Sequence, residues 1–139
     1  MILLDSSGLV AALVASEYFH DECSDALLNA EPPLILSPFV LAETDFLLQK
    51  FEGIDVELSF LEQVADRAYE LVVFTNDEIT AARQLIAKYR TLKIGLADAS
   101  VAVLAAKFNC FDVLTLDARH FRAIRPVPRK HFRILPADA

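Results

Sequence analysis

Short apolar runs and helix-period stretches alternate from one end of the chain to the other. Ile2-Leu3-Leu4 is continuously apolar and stops at Asp5, as a buried strand does. Ser6-Ser7-Gly8 reads as a turn, with a helix beginning over Leu9 to Val14. A second helical stretch covers about His20 to Leu28 and ends before Pro32-Pro33. Leu34-Ile35-Leu36 predicts the next strand. Ser37 then offers an N-cap and Pro38 a first helical position, for a helix that runs to about Phe51 and breaks at Gly53. Ile54, Leu58, Leu61, Ala65 and Ala68 repeat at helical spacing and predict the inward face of the following helix. Leu71-Val72-Val73-Phe74 reads as a third strand. Asn76 or Asp77 then caps a helix with Ile79, Ala82, Ile86 and Tyr89 on its core side. Leu96 to Phe108, after Gly95, is apolar nearly all round and predicts a buried helix. Asp112 to Leu116 is a fourth strand, and a fifth is expected near Phe132 to Leu135. Short apolar strands separated by helices imply an α/β fold, a mostly parallel sheet of four to five strands covered on both faces.

With 139 residues and no linker, repeat or low-complexity segment, the chain fits one domain spanning 1–139. Over half of it is hydrophobic, too much for a disordered chain. No apolar run approaches the roughly 20 residues that cross a bilayer, so no membrane partner is expected. The N-terminus meets Asp5 at once and has no basic region, unlike a signal peptide. Cys23 and Cys110 stand far apart with no metal-ligand spacing and read as buried thiols. A cytoplasmic location follows as the expectation.

The net charge of −7 argues at first against a nucleic-acid partner, but its distribution changes that. Residues 1–78 carry 16 acids against Lys50 and Arg67, a balance of −14, whereas residues 79–139 carry 4 acids against 11 bases, a balance of +7. The bases are densest from Arg119 to Arg133, a segment that could track a phosphate backbone or be a solvated surface.

Four acids fit poorly on polar faces. Asp5 and Asp117 each follow a predicted strand and so sit at the carboxyl edge of the sheet, where such folds bind ligands. Glu43 lies four residues after Phe39, three before Phe46 and four before Leu47, and so would interrupt an apolar stripe. Asp98 lies in the first turn of the most apolar helix. Each has a simpler alternative: a turn residue for Asp5 and Asp117, a helix-dipole partner for Asp98. Jointly they point to a carboxylate cluster. Two carboxylates about 5 Å apart repel by roughly 3 kcal/mol at an effective dielectric near 20, which a hard divalent cation relieves. Oxygen ligands select Mg²⁺ or Mn²⁺ over zinc, and such a site suits in-line phosphodiester hydrolysis.

Four segments together resemble the PIN-domain family, and within it the VapC-type toxins of toxin–antitoxin pairs. They are Leu3-Leu4-Asp5-Ser6-Ser7, Ser37-Pro38-Phe39-Val40-Leu41-Ala42-Glu43, Leu96-Ala97-Asp98-Ala99-Ser100 and Thr115-Leu116-Asp117-Ala118-Arg119-His120-Phe121. The resemblance spans nearly the whole chain. It implies a PIN-like α/β/α sandwich and a magnesium-dependent endoribonuclease that leaves a 5′-phosphate and a 3′-hydroxyl. It also implies a homodimer and a VapB-type antitoxin whose tail fills the active-site groove. The motif acids map onto Asp5, Glu43, Asp98 and Asp117, and Ser6 and Thr115 onto supporting polar positions. Arg119 becomes a candidate RNA contact, and Arg122 in the same basic segment joins it.

Other readings fit less well. A receiver-type domain needs an acidic pair after the first strand, and an Asp-x-Asp phosphatase needs an acid where Ser7 stands. A dinucleotide fold lacks its glycine motif, the three glycines being isolated. Histidine acid–base chemistry would need His20, His120 or His131 paired, and their spacing shows no pairing. The remaining alternative is an idle PIN module that only binds RNA or an antitoxin; four intact acids count against it.

Overall fold

The computed structural model describes residues 1–139. Its centre is a five-stranded, wholly parallel sheet in the order β3-β2-β1-β4-β5. The strands are β1 (Ile2–Leu4), β2 (Leu34–Leu36), β3 (Glu70–Leu71), β4 (Asp112–Leu114) and β5 (Arg133–Leu135). Seven α-helices accompany them: α1 (Ser6–Leu13), α2 (His20–Asn29), α3 (Pro38–Glu52), α4 (Ile54–Ala65), α5 (Asn76–Lys88), α6 (Leu96–Phe108) and α7 (Ala118–Ala123). The central strands are apolar apart from Asp112 at the start of β4, and Ile2, Leu3, Leu4, Ile35, Leu36, Val113 and Leu114 are all buried. That burial is what a parallel sheet covered on both faces requires.

The strand order decides where a site can form. The chain steps outward from β1 to β2 to β3, then α5 and α6 carry it back to β4 on the other side of β1. Right-handed crossovers then put the outward helices on one face and the returning ones on the other. The direction reverses between β1 and β4, and a crevice opens beyond their carboxyl ends. Asp5 follows β1 directly, and Thr115 and Asp117 follow β4.

Several local expectations are corrected. The helix expected from Leu9 starts at Ser6, because Ser6-Ser7-Gly8 is its first turn rather than a loop. The third strand shrinks to Glu70–Leu71, both exposed. It lies on the sheet edge with one neighbour, so only alternate residues beyond it, Val72 and Phe74, pack inward. Thr75, rather than Asn76 or Asp77, caps α5, in a reciprocal capping box with Glu78. Ile79 on α5 is exposed, whereas Ala82 is buried and Ile86 and Tyr89 pack on the core. The expected inward face of α4 is only partly right: Leu61 packs on the core, but Ile54, Leu58, Ala65 and Ala68 are exposed, while Glu57 and Phe60 are buried. α4 packs chiefly on α3, so its apolar stripe alone does not dictate which side turns in. The six-residue α7 was not expected. Phe121, fully buried and edge-on to Phe132 at 5.3 Å, holds it in place. Burying one such ring contributes roughly 1.5–3 kcal/mol, which a helix too short to be stable alone requires.

Both cysteines are free and buried. No helix is long and apolar enough to cross a membrane.

Gly8 fixes how closely α1 approaches β4. A Cβ there would lie 2.6 Å from the Leu114 carbonyl oxygen and 2.8 Å from the Thr115 nitrogen, both backbone atoms that cannot swing aside. Gly8→Ala is expected to destabilise the protein by about 1–3 kcal/mol, as overpacking does. Thermal unfolding followed by circular dichroism should show a fall on the order of 5–10 °C. An unchanged melting temperature would mean that α1 slides off β4 at no cost.

Candidate active site

The crevice at the carboxyl edge is a cleft of about 290 Å³ lined by Asp5, Ser6, Ser7, Glu43, Gly95, Leu96, Ala97, Asp98 and Asp117. All four acids expected from the sequence therefore face one space, although they come from the end of β1, from α3, from α6 and from the turn after β4. No lysine or arginine stands in its wall. A larger cleft of about 600 Å³ opens at the strands' amino ends, lined by Met1, Glu22, Asp112 and Arg133 among others, and receives none of these four.

Asp5 is the most deeply set, at 4% exposure. It precedes α1 as the N-cap residue, yet its carboxylate caps no backbone N–H. Two hydroxyls hold it instead. Thr115 Oγ1 donates to Asp5 Oδ2 at 2.7 Å and Ser7 Oγ donates to the same oxygen at 3.0 Å. Each hydroxyl in turn accepts a backbone N–H beyond β4, Thr115 from Asp117 at 2.9 Å and Ser7 from Leu116 at 3.0 Å. Asp5 is thus tied to the turn that carries Asp117. Both hydroxyls use Oδ2, so Oδ1 has no hydroxyl partner. Burial pushes the Asp5 carboxyl up to about 6, against the lowering effect of the Thr115 hydrogen bond and with help from the charge of Asp98.

Asp98 sits in the first turn of α6, with Ala99, Ser100, Val101 and Ala102 buried behind it. Its carboxyl is raised, first by burial, and the charges of Asp117 and Glu43 add to this against the His120 contact. α6 is fixed to α3 by a buried hydroxyl pair: Ser100 donates to the Ala97 carbonyl at 2.7 Å, and Ser37 lies 2.7 Å from the Ser100 hydroxyl. Ser37 is also the N-cap of α3, accepting from the Phe39 N–H. One contact therefore orients the helices that carry Glu43 and Asp98.

Glu43 reaches the cleft by a different route from the one its spacing suggested. The buried stripe of α3 is Val40, Thr44 and Leu48, one position round from Phe39, Phe46 and Leu47. Phe46 is 60% exposed, and Glu43 is exposed too. The buried stripe contains a threonine, so counting apolar residues favoured the wrong face. Glu43 interrupts no core; Ser6 Oγ donates to its Oε1 at 2.8 Å and holds it at the cleft.

Asp117 is the N-cap of α7, and its Oδ1 accepts from the His120 N–H at 3.5 Å. The His120 ring folds back toward two of these acids. Its Nδ1 lies 2.8 Å from Asp98 Oδ2 and 3.1 Å from Asp117 Oδ2. With both carboxylates ionised, only a protonated Nδ1 can bridge them. Spacing along the chain hid His120, because its partner Asp98 is 22 residues away. Its position three residues after Asp117 was the one available signal. Ser7 was read as part of a turn and so was missed as a partner of Asp5.

The two arginines expected to meet RNA are placed differently. Arg119 is exposed and makes no ion pair. Arg122 is held by both oxygens of Asp138. Arg133 pairs with Asp112, and Lys107 with Glu78, so part of the basic excess of the second half is used within the chain.

Comparison with known proteins agrees with this architecture. The PIN domain family model matches residues 2–126. Ribonuclease VapC26 of Mycobacterium tuberculosis is 37% identical over 135 residues, covering 97% of this chain and 100% of that protein. The crystal structure of VapC20 from the same organism, described as a Sarcin-Ricin loop cleaving toxin, matches with a TM-score of 0.82. It covers 91% of this chain and 98% of that one at 18% identity, which speaks for the fold alone. A match that takes in the sheet, the cleft and nearly every residue between them leaves one conclusion, that this chain belongs to the PIN domain family and is of its VapC type.

Proposed function

We propose that this protein is a metal-dependent endoribonuclease, the toxin of a toxin–antitoxin pair, acting through Asp5, Glu43, Asp98 and Asp117. The observation that carries the reading is the wall of the cleft: four acids from four parts of the chain and no lysine or arginine among them. Such a set fits a hard divalent cation, Mg²⁺ or Mn²⁺, better than it fits an empty site: Asp5 and Asp98 are raised first by burial, and neighbouring carboxylate charges add to the rise of each. Asp5, Asp98, Glu43 and Asp117 would hold the ion. When bound, it supplies charge neutralisation and polarisation for in-line attack on a phosphodiester.

The chain's own groups do the rest. Thr115 and Ser7 hold the Asp5 carboxylate still, and Ser6 holds Glu43. The Ser37–Ser100 contact keeps α3 and α6 in register across the cleft. Ser6 and Thr115 are thus supporting residues. Arg119, two residues beyond Asp117, would meet a phosphate of the RNA backbone, a role supported by its exposure and lack of an ion-pair partner. Arg122 could do so only by leaving Asp138.

The relative named Ribonuclease VapC26 supports an RNA substrate, and a VapB-type antitoxin is the partner that the resemblance to VapC-type toxins implies. Phe46, Phe51, Ile54 and Leu58 are exposed along α3 and α4, which suits a homodimer or an antitoxin contact.

The test is cleavage of total cellular RNA by the purified protein, with Mg²⁺ or with a chelator, followed by mapping of 5′-phosphate ends. Discrete ends that require the metal are expected. Cleavage that persists in chelator would remove the metal from the reading. Replacing Arg119 with Ala should weaken RNA binding and lower the slope of log affinity against log salt by about 1, the signature of one lost phosphate contact. An unchanged slope would move the RNA path away from α7.

A further inference from the structure

His120 touches two of the cleft acids, yet the carboxylate reading does not use it. It is anchored on both sides. Its backbone N–H is held by Asp117 Oδ1, and the next residue, Phe121, is fully buried. The side chain is 20% exposed and leans toward the acids rather than toward solvent. One donor atom each from Asp98, Asp117 and His120 lies within 4.8 Å of the others.

We propose that His120 Nδ1 is a ligand of the cation in this cleft, beside Asp98 and Asp117, and that it biases the site toward Mn²⁺ over Mg²⁺. This rests on the metal-dependent reading above and names an additional member of its donor set.

The separations carry the argument. Neighbouring ligands of an octahedral ion with bonds of 2.0–2.1 Å stand about 3 Å apart. Nδ1 stands 2.8 Å from one carboxylate oxygen and 3.1 Å from the other. Both separations fit neighbouring positions around one ion, and the two carboxylate oxygens lie within 4.8 Å of each other. A nitrogen that only tied the two acids together would also be this close, so the choice turns on donor chemistry. Imidazole nitrogen suits first-row transition ions, whereas Mg²⁺ favours oxygen. Ligation by His120 would therefore strengthen Mn²⁺ binding selectively, and a simple hydrogen-bonding role would affect both ions alike.

Pulsed electron paramagnetic resonance on the full chain loaded with Mn²⁺ tests this directly, since a bound imidazole imprints a nitrogen modulation on the electron spin echo. The wild-type protein should show it, and His120→Ala and His120→Asn should lose it. His120→Asn keeps an N–H donor near the position of Nδ1, so it preserves the tie between the acids. By titration calorimetry its Mn²⁺ affinity should fall about tenfold while its Mg²⁺ affinity changes little. Bound Mn²⁺ without nitrogen modulation, or modulation that survives in His120→Asn, overturns the proposal; the wild-type measurement stands even if a variant fails to fold. If wild type binds no Mn²⁺ that Asp98→Asn weakens, the metal reading itself fails, and this proposal with it.

Discussion

Asp98→Asn is expected to cut metal-dependent RNA cleavage by at least about 100-fold while the protein stays folded. Asparagine has the same shape, and its amide oxygen can still accept from His120 Nδ1, 2.8 Å away in the wild type. The buried residues behind it, Ala99 to Ala102, keep their packing. What disappears is the negative charge. Asp98 is the acid whose surroundings connect the others: its carboxyl feels Asp117 and Glu43, and its own charge raises Asp5. Removing that charge would take away one of the proposed ligands and weaken the field that would draw in a cation. Cleavage rates with Mg²⁺, read beside the melting temperature, separate loss of chemistry from loss of fold. A folded Asp98→Asn protein that cleaves at the wild-type rate would falsify the assignment of this cleft.

Asp5→Asn should have the opposite effect on stability from most changes at buried positions. In the metal-free protein at pH 7–8 the variant is expected to be more stable than wild type, by on the order of 3 kcal/mol at most. Burial raises the Asp5 carboxyl from 3.8 to about 6. The folded protein therefore keeps this proton more tightly than the unfolded chain does. Below pH 4 both states hold it and Asp5 costs nothing. As pH rises from about 4 to 6, the unfolded chain releases the proton first, and wild-type stability falls. Above 6 the full cost is present. Asparagine has no such proton, and its amide oxygen still accepts from Thr115 and Ser7. The stability difference between variant and wild type should thus vanish near pH 4 and open toward pH 7. Urea unfolding in chelator at the two pH values measures it. A variant less stable than wild type at pH 7 would show that the ionised carboxylate is favourable where it sits. The same substitution should end cleavage, an exchange of stability for function that is common at active sites.

The basic second half of the chain is less free than its charge suggests. Arg122, Arg133 and Lys107 are each paired with an acid of this same chain. These exposed pairs contribute little to stability, but they leave Arg119 as the unpaired arginine nearest Asp117 in sequence. Charge counted along a sequence measures how much is present. Which charges face a partner depends on which acids fold against them.

The sequence by itself determined the parallel α/β architecture, because fully buried strands must be continuously apolar and the helices between them must show a longer period. It also marked Asp5, Asp98 and Asp117, since an acid at the end of an apolar run or at the start of an apolar helix has few places to go but an edge of the sheet. Glu43 was marked as well, but for a reason the structure rejects. Only the tertiary structure decided the rest. It turned α3 by one position and α4 onto the side with Phe60, because helices that pack on each other choose a face by the shape of the neighbour as well as by their own apolar stripe. It brought Ser7 to Asp5, and His120 to Asp98 across 22 residues. Periodicity records how a segment meets its surroundings on average. The strand order that reverses between β1 and β4 sets which segments become neighbours, and that order arises from burying all the apolar faces together.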